Sequence, residues 1–134
     1  MVRDNKVKAE LASTLIDNPA TEAIMSAPVV IVACAEPGKS GYHHREPATD
    51  KGDWWYMFDI ALAVQNLMLA AHSQGLGTVP VGLFDAKKAA SILKVPAGLC
   101  VVEMTPLGYP DQEPEAMPRK ELTEIVSYDS YGSR

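Results

Sequence analysis

Apolar residues recur along the chain at two different periods, which predict a mixture of helices and strands. Between residues 5 and 16 they follow helical spacing, which predicts a short amphipathic helix that stops at Asn18-Pro19. Residues 28–35 (PVVIVACA) form a continuous apolar run rich in β-branched side chains, which predicts a strand buried on both faces. Residues 99–104 (LCVVEM) predict a second buried strand.

The longest apolar segment, residues 54–74, predicts a helix of about 30 Å. Asp53 is placed to cap its N-terminus, and Gly75 follows its last turn. Its apolar side chains cover most of the helix circumference instead of a single stripe. Because a helix that is apolar all round must be buried all round, this segment predicts burial against another subunit.

The remaining segments predict loops and short elements. Residues 36–53 are polar and rich in glycine and proline, and they predict a long loop of the kind that often serves as a lid. Asp85 is predicted to cap a second amphipathic helix over residues 86–94. A turn-rich loop is predicted for residues 105–118, then a helical turn and a short strand within 119–131. Two or three strands are few for so long a helix, so the domain is predicted to be incomplete as a monomer.

Composition narrows the class of protein. With 134 residues, 47% hydrophobic and 22% charged, the chain is predicted to be a single globular domain over residues 1–134. The formal net charge of −5 argues against non-specific binding to nucleic acid, which requires a basic face. No apolar run has the length of a membrane span, and no signal segment opens the sequence. These features predict a cytoplasmic protein without a membrane partner.

The cysteines and histidines indicate no metal or nucleophilic site. Cys34 and Cys100 each lie in an apolar stretch, and both are predicted to be buried structural thiols. His43 and His44 are adjacent in the polar loop, where a solvated position is favoured and contact with a substrate is the alternative. No side chain is predicted to act as a catalytic acid, base or nucleophile.

The segment from Gly75 to Phe84 carries the first candidate for ligand binding. Gly75 and Gly77 do not form a dinucleotide fingerprint, because Pro80 holds the third glycine position and the segment follows a helix. A turn after the helix is the simpler interpretation. The glycines also allow the backbone N–H groups of this segment to lie against a flat ligand.

Arg119 and Lys120 are the second candidate. Two adjacent cations beside a turn in an acidic protein can anchor a phosphate. A solvated charge pair at the start of a short helix explains the same spacing equally well.

Four segments together resemble the nitroreductase family of flavoproteins: APVVIVACA, WYMFDIALAVQNLMLAAHSQGLGTVPVGLFD, VVEMTPLGYP and PRKELTEIVSYDSYG. The resemblance runs over nearly the whole chain, with the segments in the family's order. It implies an α+β fold with a mixed sheet flanked by helices. It also implies a homodimer in which the long helix packs in the interface and the C-terminal tail reaches over the partner.

The resemblance further implies an FMN cofactor at the subunit interface. FMN would pass a hydride from NADH or NADPH to a nitroaromatic, quinone or similar acceptor. Residues matching the family's flavin-lining segment are Pro80, Val81, Gly82 and Leu83, with an N–H near Gly82 or Leu83 facing flavin N5. Arg119, with Lys120 as a second candidate, matches its basic contact to the FMN phosphate.

The chain resembles the C-terminal two thirds of such a protein. The family's Arg-rich opening and its Pro-Ser-x-x-Asn-like segment, both of which contact FMN, have no counterpart in the sequence. An N-terminally truncated domain is therefore the expectation. The alternative to an enzyme is a non-catalytic dimeric scaffold that binds flavin weakly or not at all.

Overall fold

The computed structural model describes residues 1–133. Two helices open the chain, three strands follow, and helices and strands then alternate into a C-terminal tail. The helices are α1 (Asn5–Ala12), α2 (Thr21–Ser26), α3 (Trp55–His72), α4 (Ala86–Ile92) and α5 (Leu122–Ile125); the strands are β1 (Val29–Ala35), β2 (Tyr42–His43), β3 (Glu46–Pro47), β4 (Gly77–Thr78) and β5 (Cys100–Gly108).

A three-stranded sheet in the order β1-β5-β4 forms the centre of the fold. Both β1 and β4 pair antiparallel with β5, so β1 and β4 run parallel to each other on either side of it. Val2 adds a single bridge to Val30 on the free side of β1. A separate hairpin of β2 and β3 lies within the predicted polar loop.

The main hydrophobic core lies on one face of this sheet. Leu11, Ile24, Val30 and Met104 are fully buried there, and they come from α1, α2, β1 and β5. Because side chains alternate across a strand, Val30 and Val32 of β1 both face this core. Helix α3 contacts the sheet but contributes no residue to the cluster, which places it on the other face.

Helix α3 leaves most of its apolar surface exposed within this chain. Only Val64 and Ala71 are buried among its eighteen residues. The large exposed apolar side chains at or just before α3 are Trp54, Met57, Phe58, Leu62 and Leu69. The strand β1 is also only partly covered, so the prediction that it is buried on both faces is wrong for the described chain. The face of β1 opposite the hydrophobic core has too few neighbouring side chains packed on it to bury its residues.

Four helices and two strands of the structure match predicted elements in kind and differ at their ends. Asp85 caps α4 as predicted, its carboxylate accepting from the backbone N–H of Lys88 at 2.9 Å. Asp53 does not cap α3, because it lies in a 3₁₀ turn that leads into the helix from Gly52. Helix α2 was not predicted, and the predicted strand after α5 is absent from the described residues.

Strand β5 extends four residues beyond the predicted end, through Pro106 to Gly108. Pro106 has no N–H to donate, and the ladder between β4 and β5 is interrupted at that level. The Thr105 hydroxyl donates there to the carbonyl oxygen of Val79 at 3.0 Å. On its other side β5 stays paired with β1, with Val30 opposite Pro106.

The predicted α+β class, a sheet flanked by helices, is confirmed. The helices of the described chain are too short or too polar to span a bilayer.

Candidate functional site

Residues 80–83 form a short ledge of backbone beside the central sheet, here called the 80–83 ledge. At its start, Val81 exchanges two backbone hydrogen bonds with Met104, of 2.9 and 3.0 Å, in the same register as β4. Val81 is almost fully buried, so its side chain anchors the ledge in the core.

The far end of the ledge is fixed by the segment that follows α1. The carbonyl oxygen of Leu83 accepts from the backbone N–H of Ile16 and from Nδ2 of Asn18, both at 3.4 Å. The N–H of Asp85 donates to the carbonyl oxygen of Thr14 at 2.8 Å. With both ends held, the backbone between them is positioned before any ligand arrives.

The outer surface of the 80–83 ledge is open. Pro80, Gly82 and Leu83 are exposed, and a Cβ atom built on Gly82 would meet nothing within 4 Å. Within the described chain, no hydrogen bond uses the backbone N–H of Gly82 or Leu83. The ledge therefore presents free donors beside an open surface, and the prediction that a flat ligand lies against it stays a prediction.

Arg119 and Lys120 lie apart from the ledge in the extended tail. Both side chains are exposed, and neither makes a hydrogen bond or ion pair to any residue between 1 and 133. The described chain does not bring them into contact with residues 80–83, so their role as a phosphate anchor stays a prediction.

The burial of the two cysteines differs from the prediction. Cys34 is exposed and Cys100 is half-buried, so the expectation of two buried thiols is wrong for Cys34. A register shift lies between Ala33 and Cys34, beyond which Cys34 pairs with Val101. Partial burial raises the pKa of the Cys34 thiol, and the nearby Cys100 raises it further. A raised thiol pKa lowers the thiolate fraction.

Glu103 is a titratable group that sequence reasoning did not single out. Burial raises the pKa of its carboxyl group. Its Oε1 atom is buried and has no hydrogen-bond partner in the part of the chain that the structure describes. Glu103 could have been identified from the sequence, because it is one acidic residue inside the apolar run of β5. An unpaired carboxylate in such a run is costly to bury.

His43 and His44 lie at the tip of the β2–β3 hairpin, exposed to solvent. Their rings are in edge contact, with centroids 4.1 Å apart. Among residues 1–133, no cluster of three or more His, Cys, Asp or Glu side chains has the arrangement of a metal site. The solvated position favoured by the sequence agrees with this geometry.

Comparison with known proteins identifies the family. The model of the Nitroreductase family matches residues 2–109 of the chain. A protein of Methanothermobacter thermautotrophicus, provisionally named an NADH dehydrogenase/NAD(P)H nitroreductase, is 28% identical over 101 residues, which cover 72% of this chain and 48% of that relative. The chain spans about half the length of this curated relative and 60% of another, from Archaeoglobus fulgidus.

Solved structures show the same fold. A nitroreductase family protein from Clostridium novyi superposes with a TM-score of 0.72 at 30% identity, over 98% of this chain and 68% of that one. The NADPH:FMN oxidoreductase of Vibrio harveyi, solved with NAD⁺, gives a TM-score of 0.79 at 27% identity, over 99% of this chain and 58% of that one. The family model covers most of the sequence and these structures share its fold, so the chain belongs to the nitroreductase family.

Proposed function

We propose that this chain is an FMN-dependent NAD(P)H oxidoreductase of nitroreductase type. The observation that carries the proposal is the 80–83 ledge: an open backbone surface with two unused N–H donors, fixed at both ends. Family membership supports it, and the similar Vibrio harveyi protein is by name an NADPH:FMN oxidoreductase. The acceptor classes proposed are nitroaromatics and quinones.

The residues of the ledge fit an isoalloxazine ring. Gly82 has no side chain to separate the ring from the backbone, and its N–H or that of Leu83 would donate to flavin N5. When bound, FMN supplies hydride transfer from NAD(P)H to the acceptor. The protein contributes a donor held in place by the Val81–Met104 pair, so little reorganisation is needed as the charge on the ring changes.

We further propose that two copies of the chain form a homodimer through α3. Leu62 and Leu69 are each more than half exposed although they lie in the most apolar helix of the chain. Exposed apolar area on this scale typically marks a protein interface. The tail also exposes Leu122 and Ile125, which are 71% and 61% accessible, and it would cross to the partner.

In this arrangement Arg119 or Lys120 would contact the FMN phosphate from the tail. The two cations are unpaired in the described chain, so no internal ion pair has to break before they bind an anion. Arg suits a phosphate because its planar guanidinium can donate two parallel hydrogen bonds.

Flavin absorbance tests the proposal directly. The purified chain is mixed with excess FMN, desalted, and its spectrum recorded from 300 to 550 nm, followed by assays of NADH and NADPH oxidation with a nitroaromatic. Retained flavin bands and turnover support the enzyme. A colourless dimer without NAD(P)H oxidation, even in excess FMN, would favour the non-catalytic scaffold.

Arg119→Ala tests the anchor, with Arg3→Ala as the matched control because Arg3 is also an exposed arginine. Loss of one charge-assisted hydrogen bond costs about 1.5–3 kcal/mol, so the FMN Kd should rise by about 10- to 150-fold. Equal FMN affinity in the two variants would remove Arg119 from the site and leave Lys120 as the remaining candidate.

A further inference from the structure

A groove of about 340 Å³ lies at the outer edge of the central sheet, beside β4. Its walls include Ala27 and Pro28 after α2, Thr78 of β4, and Tyr109 and Asp111 after β5. None of the described residues that line it belongs to α3, to the 80–83 ledge or to the tail cations. The groove is therefore separate from the proposed dimer surface and from the proposed flavin site.

The backbone of Thr78 points its hydrogen-bonding groups at this edge. Val81 and Met104 exchange two hydrogen bonds, and such bonded pairs alternate with non-bonded pairs along antiparallel strands. In the same register Thr78 lies opposite Leu107, at a non-bonded position. Its N–H and C=O groups therefore point away from β5, and neither has a hydrogen-bond partner among residues 1–133.

The length of edge that another chain could pair with is one residue. Leu76, two positions before Thr78, donates its N–H to the carbonyl oxygen of Ala71 at 3.0 Å. Pro80, two positions after it, has no N–H. A long strand cannot pair here, because Thr78 supplies the one free outward donor. The edge therefore fits a single residue in peptide linkage, which offers one C=O and one N–H in return.

Two proline rings fix the walls of the groove. A Cβ atom built on Gly108 would lie 2.7 Å from Cδ of Pro28, and one built on Gly77 would lie 3.3 Å from Cβ of Pro110. These two glycines are opposite each other in the sheet, so both rings pack closely on its backbone. A volume of about 340 Å³ exceeds the cavity of about 150 Å³ that takes up benzene, which leaves room for a long side chain.

The charge at the groove selects that side chain. Asp111 is the one charged residue among the described residues that line it. A basic side chain can lay its apolar stem along the proline rings and place its cation at the Asp111 carboxylate. Arginine suits this position better than lysine, because its planar guanidinium donates two hydrogen bonds to a carboxylate and stacks on an aromatic ring such as that of Tyr109.

We propose that this groove binds an arginine residue in peptide linkage. The N–H of Thr78 donates to the carbonyl oxygen of that arginine, the C=O of Thr78 accepts from its amide N–H, and its guanidinium pairs with Asp111. Binding requires neither FMN nor a second copy of the chain. Failure of this proposal would therefore leave the proposed function untouched.

The amide signal of Thr78 in a nuclear magnetic resonance spectrum reports on the contact. The isotopically labelled full chain is titrated with Nα-acetyl-arginine methylamide, and with the citrulline analogue as its uncharged counterpart. A saturable shift of the Thr78 amide proton is expected, with about fivefold weaker binding of the citrulline probe. Absence of a saturable shift at Thr78, or equal affinity for the two probes, overturns the proposal.

Further changes separate the backbone contact from the charge. Methylation of the Nα atom of the arginine probe removes its donor to the C=O of Thr78 and should weaken binding about fivefold. Asp111→Asn should reduce the affinity for the arginine probe to that for the citrulline probe. Asp50→Asn, at another exposed carboxylate, is the matched control and should bind both probes as the wild type does. Undiminished binding of the methylated probe, or of the arginine probe by Asp111→Asn, would refute the assignment.

Discussion

Gly41→Ala tests the most crowded backbone contact in the chain. Gly41 has φ +74°, a left-handed conformation that disfavours any residue with a Cβ atom. A Cβ atom built there would overlap Cγ and Cδ1 of Trp55 and lie 2.5 Å from its Nε1. One added methyl group must therefore strain the loop and displace the indole ring.

The expected cost follows from the contacts that would be lost. The left-handed conformation costs alanine about 1 kcal/mol. A displaced Trp55 loses its hydrogen bond to Thr49, which is worth about 1 kcal/mol, and its edge contact with Phe58, worth about 1 kcal/mol. Together Gly41→Ala should lower the free energy of unfolding by about 3 kcal/mol, or Tm by about 12 °C at roughly 4 °C per kcal/mol.

Gly75→Ala is the control that isolates the overlap. Gly75 has φ +73°, nearly the same as Gly41, but a Cβ atom there would meet nothing within 4 Å. Gly75→Ala should lower the free energy of unfolding only by the cost of placing alanine in the left-handed conformation, about 1 kcal/mol. Thermal unfolding followed by circular dichroism measures both variants, and tryptophan emission should shift in Gly41→Ala alone. Equal losses of Tm with unchanged emission in both would refute the reasoning.

Three further results are expected. Asp85→Ala removes the side-chain cap of α4 and should lower the free energy of unfolding by about 1 kcal/mol, read from urea unfolding. Because burial raises the pKa of Glu103 above its ordinary value of 4.5, the folded chain loses stability as pH rises through that raised pKa. Glu103→Gln should therefore gain more in Tm over the wild type at pH 8 than at pH 4, and a pH-independent difference would contradict this. Leu62→Asp should shift sedimentation from dimer toward monomer, whereas Asp59→Ala on the same helix should not.

Much of the local structure follows from the sequence because its causes are local. The Asp85 cap is a carboxylate three residues before the N–H that it accepts from, and this spacing is visible in the sequence. The apolar run of β1 and the length of α3 are likewise read from neighbouring residues. Helix α2 was missed because its six residues carry too few apolar positions to show a helical period.

The candidate site also combines features that the sequence shows with features that only the tertiary structure shows. The glycine that leaves the 80–83 ledge open is apparent in the sequence, and the tertiary structure adds the anchoring of that ledge by Met104, Ile16 and Asn18. These partners are distant along the chain, so no local spacing predicts them. The role of Arg119 as a phosphate anchor stays a prediction, because no contact within the described chain positions its side chain.

The sequence by itself determined α1, β1, α3, α4 and β5 in their order, the α4 cap and the family, because these depend on side-chain period, capping chemistry and motif order within short stretches. The tertiary structure alone decided which apolar surface is covered. It exposes Cys34 at the register shift of β1, extends β5 through Pro106, and leaves α3 largely uncovered. Whether a residue is buried depends on which residues pack against it, and the fold and its partner chains determine those neighbours.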